Sequence, residues 1–459
     1  MKHILRKTLP TLLCAAFSLP AFATNGMNME GYGPIAAAMG GAGMAYDTGT
    51  AALMNNPATL ALMKDGTRVD LAAGFLGPSV KSKGQESSGT AYVMPAFGIA
   101  HKQNDFVFGF GIFAQGGMGT EYSNSSFYGS LMSTTTAPPP ASVPVTDPGL
   151  RNRSEIGVGR ALIPVAWKVN DQLTLGASLD YVWATMDMQM LIDGARFGDM
   201  MMGSQRFGQV GGSLTGLMTG FTQVNWGYFN FSDSNDFSGA AKGSGWAGKL
   251  GATYKISPEL TAGLVYQSKT ALSDMTASNA SISFNGISGG STITMPIQGK
   301  VKIINFQWPD QYGFGFSYKP NDRWQIVADY RRIGWASVMR QFRMTFESSM
   351  GNLDMTMRQD WKDQNVLMLG AAYKYTPKLT LRGGINVANN PVPNDVTNPL
   401  FPAIVKNHLT GGFGYAFDPK SSLDFSATYA PKNKVSSEFS AADISHGQIN
   451  AQIMYSMFF

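Results

Sequence analysis

The side chains in this chain that could do chemistry are few, and their spacing argues against catalysis. His101, His408 and His446 are far apart, and no Ser-His-Asp order with a sharp nucleophile turn accompanies them. The single cysteine, Cys14, lies inside an apolar run near the start of the chain, so it offers neither a disulfide nor a thiolate site. We therefore predict no enzyme activity, no metal site and no cofactor.

Two arginines are placed to meet a carboxylate. Apolar side chains alternate along two stretches of the sequence, and an arginine falls on the opposite, inward face of each stretch. Arg160 comes just before the outward residues Ala161, Ile163, Val165 and Trp167. Arg331 comes just after the outward residues Trp324, Ile326, Ala328 and Tyr330. An inward arginine either binds the carboxylate of a ligand or pairs with an acid of the protein, such as Asp180 or Asp329. The second role is the commoner one.

The methionines of residues 186–231 suit apolar ligands. Methionine is flexible and polarizable, so Met200, Met201 and Met218 are candidates for the first contact with a hydrophobic molecule. We expect short helices here, lying over the mouth of the fold. The alternative is that these side chains only pack the segment onto the rim. Methionine-bound copper is disfavoured, because no cysteine or clustered histidine accompanies it.

Residues 24–66 are predicted to be a hatch, a segment buried inside the rest of the protein. They are rich in Gly, Ala and Met, with too few large side chains to form a core of their own. Asn56, Pro57 and Ala58 predict a helix start, because Asn56 can cap it and Pro57 suits its first position. A flexible linker is the alternative, but linkers are usually polar or charged.

The start of the chain predicts export. Residues 1–23 combine three early cations with an apolar run and end in Ala21-Phe22-Ala23, which is typical of a signal peptide cleaved after Ala23. Removing those cations from a formal charge of +5 leaves +2, so no nucleic acid or other polyanionic partner is implied. Only 14% of the residues are charged, against about 25% in soluble domains.

Residues 67–459 predict an all-β, antiparallel transmembrane β-barrel. Apolar and small or polar residues alternate in runs such as 173–183, 312–319, 423–429 and 448–459. This pattern places lipid on one face and a polar lumen on the other, with aromatic girdles at both interfaces. A soluble sandwich also alternates, but its outer face normally carries many charges.

Turn signals predict fourteen strands. Six short links, near residues 102–105, 169–172, 256–259, 319–322, 376–378 and 418–420, separate seven long stretches, near 81–89, 117–153, 189–243, 271–308, 346–362, 389–406 and 432–445. Short turns then face the periplasm and long loops the outside. The Pro-rich segment 134–149 is expected to be extended, with no assigned role.

With these residues in view, the chain resembles the FadL family of outer-membrane transporters for long-chain fatty acids and other hydrophobic compounds. The resemblance rests on Asn56-Pro57-Ala58, Thr120-Glu121-Tyr122, residues 164–171, Ile333-Gly334-Trp335-Ala336-Ser337, residues 379–384 and Pro391-Val392-Pro393. The resemblance implies a fourteen-stranded barrel with an N-terminal hatch. It also implies that Phe459 is presented to the barrel-assembly machinery.

The resemblance further implies a route for the ligand. An outer groove binds it first, a pocket that touches the hatch N-terminus follows, and a kink in the third strand near Gln115-Gly116-Gly117 releases it sideways. The predicted ligand contacts are Gly26, Met27, Met29, Phe110, Phe113, Arg160, Met200, Met201 and Met218. Entry of a ligand should displace the start of the hatch.

We therefore predict a passive outer-membrane channel for hydrophobic small molecules, with outer-membrane lipid as its surroundings. Long-chain fatty acids are the favoured substrate, and aromatic or alkane hydrocarbons come second. A structural or adhesive barrel with a permanently shut hatch is an alternative of a different class. An outer-membrane lipase is disfavoured, since no Ser-His pair is evident.

Overall fold

The computed structural model describes residues 25–122, 149–202, 206–235 and 238–459. The predicted signal peptide of residues 1–23 and most of the Pro-rich segment 134–149 lie outside these ranges. In the described part of the chain, all strands belong to one antiparallel sheet. No helix there is long and apolar enough to cross a membrane.

The helices are short, and three of the seven described precede the sheet. The α-helices are α1 (Pro34–Ala37), α2 (Ala52–Asn55) and α3 (Gly194–Met201). The 3-10 helices span Pro57–Leu62, Ser213–Gly220, Trp335–Ser337 and Asn394–Val396.

The strands follow from Gly66 onward. They are β1 (Gly66–Ser82), β2 (Gln85–Glu86), β3 (Tyr92–Gln103), β4 (Phe106–Tyr122), β5 (Asn152–Lys168), β6 (Leu173–Asp193), β7 (Gly208–Gly211), β8 (Gln223–Phe231), β9 (Ala241–Lys255), β10 (Leu260–Gln267), β11 (Ala271–Leu272), β12 (Met275–Ser288), β13 (Ser291–Ile304), β14 (Gln311–Tyr318), β15 (Trp324–Ile333), β16 (Gln341–Ser348), β17 (Gly351–Arg358), β18 (Gln364–Lys374), β19 (Leu379–Ala388), β20 (Asn407–Asp418), β21 (Ser421–Ser437) and β22 (Ala442–Phe458).

The sheet closes into a barrel. Its ring runs through β1, β3, β4, β5, β6, β9, β10, β14, β15, β18, β19, β20, β21 and β22, which pairs again with β1. Closure removes the sheet edges, whose unpaired N–H and C=O groups would be costly in lipid. We call the end that holds Gly66 and Phe459 the lower end, and the opposite end the upper end.

The outward face of the ring is apolar over a continuous band. Large exposed side chains alternate with buried ones along the strands, including Ile163, Leu179, Leu250, Leu264, Phe314 and Leu409. Buried positions carry residues such as Thr174, Ser178, Gln452 and Ser456. An apolar exterior around a polar interior is the pattern that a bilayer imposes on a barrel, as the alternation in the sequence predicted.

The predicted count of fourteen strands is wrong for the sheet as a whole, which contains 22 strands. Stretches interpreted as long loops hold further strands at the upper end: β8, β12, β13, β16, β17 and β7 pair in that order and extend the sheet from β6. The residues near 432–445 are also paired, in β21 and β22. Gly, Ser, Thr and Asn dominate several of these stretches, so their polarity suggested loops although their backbones pair.

The hatch fills the barrel lumen. Most residues from Asn25 to Ala61 are buried, including Ala36, Met39, Met44 and Leu53. The hatch ends where β1 begins at Gly66. Small residues are needed here because the hatch backbone lies directly against the barrel wall: a Cβ added at Gly384 would lie 2.4 Å from the Gly40 nitrogen.

Candidate functional site

The body of the hatch is held by polar side chains of the barrel wall. Asp329 Oδ2 accepts the Gly43 and Met44 N–H groups at 2.7 and 3.0 Å. Lys249 Nζ donates to the Leu53 and Met54 carbonyls at 2.7 and 2.8 Å. These inward groups satisfy backbone atoms that have no water to bind, so this part of the hatch is firmly anchored.

Asn56 combines a cap with an anchor. Its Oδ1 accepts the Ala58 N–H at 3.1 Å, and Pro57 begins the 3-10 helix that follows. Its Nδ2 donates to the Met44 carbonyl at 2.7 Å and lies within 3.3 Å of two carbonyls of β9 and β10. The cap was predicted from the sequence, whereas the bonds to the wall were not.

The first residues of the hatch, which we call the hatch tip (Asn25 to Met29), lie against β4. Asn25 and Asn28 exchange two backbone hydrogen bonds and form a tight turn with Gly26 at φ 64°. The Met27 carbonyl accepts the Gly117 N–H at 3.0 Å. Gly116 has φ 155°, and a Cβ there would lie 2.1 Å from the Met27 oxygen. Only glycine at position 116 permits this contact.

Gln115 connects the tip to the wall. The pairing of β4 with β5 shifts register between Ala114 and Gly116, so Gln115 is a bulged residue whose buried side chain lies inside the barrel. Its Nε2 donates to Asn28 Oδ1 at 3.1 Å, and its carbonyl accepts the Tyr32 hydroxyl at 2.7 Å. Its Oε1 accepts a short hydrogen bond from Arg160 Nε. Bulges redirect side chains in this way.

Three buried tryptophans lie on the other side of the tip, and we call Trp308, Trp335 and Trp361 the tryptophan cluster. Adjacent rings meet edge to face, with centroids 5.4 and 5.3 Å apart. Trp308 Nε1 donates to Asn28 Oδ1 at 2.7 Å. A Cβ on Gly26 would lie 2.8 Å from Trp335 Nε1. The tip is therefore enclosed between aromatic rings and the β4 bulge.

Above the tip, an apolar chamber is closed in this conformation. Its lining includes Met27, Ile156, Phe306, Met339 and Trp361. Its free volume is about 20 Å³, roughly one water molecule. A ligand can occupy the chamber only if a lining side chain moves, and Met27 of the hatch tip is one of those side chains.

A window interrupts the barrel wall between β3 and β4. These strands pair only from Phe97–Ile112 down to Gln103–Phe106, and above Ile112 β4 pairs with β5 alone. At the top of the window the Ser88 N–H donates to the Glu121 carbonyl at 2.8 Å. The wall is thus open between two bonded boundaries.

A cavity of about 260 Å³ occupies this window. Its lining includes outward side chains, such as Val93 and Ile112, and inward ones, such as Phe113 and His446. Gly116, Gly117, Gly157 and Gly159 also line it. Residues from both faces of the sheet thus line the cavity, and Gly116, which contacts the hatch tip, is one of them.

The structure brings some predicted site residues together and separates others. Gly26, Met27, Met29, Phe113 and Arg160 lie around the hatch tip or its immediate supports. Phe110 does not lie where a ligand contact was predicted, because its side chain is 37% exposed on the outward face. Alternate residues of β4 point to opposite sides, and Phe113 is on the inner side. Phe110 faces lipid and not the lumen.

The predicted methionines lie further up. Met200 and Met218 are buried in the hydrophobic cluster of the upper extension, and Met201 packs against it. They do not line the chamber or the window. Asp193 caps α3 by accepting the Arg196 N–H at 3.0 Å, and burial raises the pKa of its carboxyl. The structure thus shows these methionines in a packing role, and their contact with ligand stays a prediction.

The two inward arginines differ in their partners. Arg160 is fully buried, and its Nη1 lies 2.8 Å from Asp180 Oδ2, which is the commoner role expected from the sequence. Arg331 is also buried, and among the described residues it has no carboxylate within 4.0 Å. Of the two, Arg331 is the one whose charge is not already paired.

Sequence reasoning missed Asn28, Trp308 and Trp361 as site residues. Trp335 stood within a motif that carried the resemblance, but its burial beside Gly26 was not foreseen. Tryptophans in a barrel are normally expected at the membrane interfaces, so nothing in the strand alternation marks an inward cluster.

Comparisons with known proteins agree with this architecture. Residues 153–454 match the family described as outer membrane protein transport protein (OMPP1/FadL/TodX). The chain is 23% identical over 438 residues to the long-chain fatty acid transport protein of Escherichia coli (strain K12), covering 90% of this chain and 87% of that protein. A 94-residue stretch is 48% identical to an uncharacterized protein in the phosphoenolpyruvate carboxykinase gene 5′ region of Chlorobium limicola; it spans 20% of this chain and less than half, 46%, of that protein.

The fold is also similar to a solved structure, the P. putida toluene transporter TodX. The TM-score is 0.81 at 31% identity, with 94% of this chain and 99% of that chain covered. Together with the closed barrel, the enclosed hatch and the family match over residues 153–454, this places the chain in the OMPP1/FadL/TodX family of outer-membrane transport proteins.

Proposed function

We propose that this protein is a passive outer-membrane channel for small apolar molecules, with monoaromatic hydrocarbons as its principal cargo. The observation that carries the proposal is the apolar cavity of about 260 Å³ in the wall between β3 and β4, next to the hatch tip. A cavity of about 150 Å³ lined by apolar side chains is enough for benzene. The cavity therefore has room for one substituted aromatic ring. Similarity to a toluene transporter supports the same class.

The proposed route runs from the chamber to the window. The cargo enters from the upper end, displaces the hatch tip from the chamber, and leaves sideways past Gly116 and Gly117 into the outer membrane. The tip is bonded to the wall at Met27 and Asn28, whereas the hatch body is anchored through Asp329, Lys249 and Asn56. The tip can therefore move while the body stays in place. The movement is driven by the ligand's preference for the displaced state.

The proposed function also includes export through a signal peptide, an orientation in the membrane and a role for Phe459. The signal peptide is cleaved after Ala23 and the barrel lies in the outer membrane, with its upper end outside. Phe459 is exposed next to the first strand, and its N–H donates to the Thr67 carbonyl at 2.8 Å. This leaves its ring accessible to the barrel-assembly machinery.

A second cargo class, long-chain fatty acids, is favoured by Arg331. A buried guanidinium without a carboxylate partner is suited to a bidentate contact with a fatty-acid head group. This class ranks second because a long acyl chain exceeds the window cavity, so its tail would have to enter the lipid before its head is released. The order expected from the sequence is thereby reversed.

Uptake measurements separate the two classes. Purified protein in liposomes should speed the entry of labelled toluene, and a variant with Gly157→Trp should abolish this entry, because the indole would fill the window that Gly157 lines. Arg331→Met should reduce oleate uptake and leave toluene uptake unchanged. Toluene entry that is no faster than in empty liposomes would refute the proposed function. Equal sensitivity of both substrates to Arg331→Met would refute the role of Arg331.

A further inference from the structure

A group of cations lies on the outward face of the barrel just above its apolar band. Along β9, Leu250 and Trp246 point outward and are 61% and 52% exposed. Lys242 precedes Trp246 by four residues, and side chains four apart on a strand share a face. It therefore stands about 13 Å further up the strand. The sequence of aliphatic, aromatic and cationic residues marks a passage from hydrocarbon to head groups.

The pairing register continues this face across the upper extension. Lys242 lies beside Thr276 of β12, Thr276 beside Lys302 of β13, and Lys302 beside Thr345 of β16. Paired residues point to the same side of a sheet, so both lysines project outward. Lys300 and Arg343 occupy the next positions on that side and are exposed. The intervening residues Val301, Ile303 and Met344 are buried.

A groove adjoins these cations on the membrane side. It has a volume of about 680 Å³ and is lined by Tyr181, Trp246, Lys269, Asn305 and Gln307, among others. The rings of Tyr181 and Trp246 meet edge to face with centroids 5.4 Å apart. Lys269 is exposed at this groove. The groove thus places an aromatic floor beside the cation of Lys269.

We call Lys242, Lys269, Lys300, Lys302 and Arg343 the cationic rim. Among the described residues, none of the five has a carboxylate within 4.0 Å. Three acids are near in register: Glu347 faces Lys300, Asp354 faces Thr345 on the strand beyond Lys302, and Asp274 Oδ1 already accepts the Asn305 N–H at 2.8 Å.

Several other cations at the upper end are neutralised. Arg151 lies 2.6 Å from Glu121, Arg206 lies 2.7 Å from Glu438, and Arg358 is bonded to two aspartates. The cationic rim differs from these pairs because it gathers five cations on one outward face. A concentration of unpaired positive charge at the head-group level needs anions from outside the chain.

We propose that the cationic rim binds the phosphate groups of the acylated glycolipid that forms the outer leaflet of the membrane. Acyl chains would lie along Leu250 and Trp246, and the phosphates would reach Lys242, Lys269 and Lys302. Lysine donates up to three N–H bonds to phosphate oxygens, and several lysines together accommodate a bis-phosphorylated head group. The site is separate from the window and the hatch, so it does not depend on the transport proposal.

The test compares two triple variants of the full mature chain purified in detergent micelles. The rim variant carries Lys242→Gln, Lys269→Gln and Lys302→Gln. The matched control carries Lys255→Gln, Lys319→Gln and Lys374→Gln, three exposed lysines at the lower end. Binding of bis-phosphorylated lipid A and of its dephosphorylated form is measured by native mass spectrometry. Heat-modifiable gel mobility verifies that each barrel is folded.

Because three cations that attract the phosphates are removed, we expect the rim variant to bind bis-phosphorylated lipid A at least about tenfold more weakly. The control variant should bind it like the native protein, and the dephosphorylated lipid should not distinguish the three proteins. Equal binding by the rim variant and the native protein would overturn the proposal. So would complete competition by inorganic phosphate alone, because the acyl chains would then contribute nothing.

Discussion

Gly116→Ala tests whether the hatch tip is a movable gate. The added Cβ would lie 2.1 Å from the Met27 carbonyl oxygen, whereas ordinary contacts begin near ~3.5 Å. The tip must therefore retreat by more than about 1 Å, and the 3.0 Å hydrogen bond from the Gly117 N–H to Met27 is lost. A buried hydrogen bond contributes about 0.5–1.5 kcal/mol, and the steric clash adds to this. A loss of about 1–2 kcal/mol raises the displaced population roughly fivefold to thirtyfold.

The assay uses a single reporter cysteine. Cys14 lies in the predicted signal peptide, so Met27→Cys would supply the mature chain's only thiol. Met27 is buried, and a bulky maleimide should react slowly in the native background. With Gly116→Ala we expect labelling to accelerate fivefold to thirtyfold, as estimated above. Toluene uptake should rise with it, because the ligand no longer has to displace a docked tip.

Gly157→Ala is the matched control. It adds the same methyl group to the same cavity, but its Cβ meets nothing closer than Thr185 Oγ1 at 3.8 Å. Labelling and uptake should therefore stay at native rates. If Gly116→Ala labels no faster than Gly157→Ala, the contact between β4 and the tip does not hold the gate.

Three further predictions concern the anchors, the buried ion pair and the upper extension. Asn56→Ala should lower the free energy that holds the hatch in place by about 1–3 kcal/mol, because a cap and buried hydrogen-bond partners are lost together. Trypsin should then cleave the hatch faster, while the heat-modifiable gel mobility of the barrel is unchanged. Arg160→Met should destabilise the barrel by about 3–5 kcal/mol by leaving Asp180 unpaired, and adding Asp180→Leu should restore most of the urea midpoint; no recovery would contradict the pairing argument. Burial raises the pKa of Asp193, so its contribution to stability is fully present below its unfolded value and is lost as the pH rises through the folded value. Asp193→Asn should remove this change of stability with pH. The rate of proteolysis of the upper extension, compared between the two proteins at each pH, would measure it.

The alternation of side chains was enough to predict a lipid-facing barrel. Its period of two depends only on local strand geometry, and lipid on one side selects the apolar residues. The hatch was recognisable for a related reason: a Gly, Ala and Met segment cannot bury itself, so another structure must enclose it. The Asn56 cap was also readable, because capping involves residues adjacent in the chain.

Strand number and site membership depended on contacts between distant residues. The upper strands pair through Gly, Ser and Thr stretches that resemble loops, since a hydrogen-bonded backbone leaves no mark on composition. Phe110 and Phe113 are three residues apart on one strand, so they point to opposite faces, and only Phe113 lies on the inner one. The site itself joins Asn28, Gln115 and Trp308, which are widely separated in sequence. Only closure of the barrel around the hatch brings their atoms within hydrogen-bonding distance.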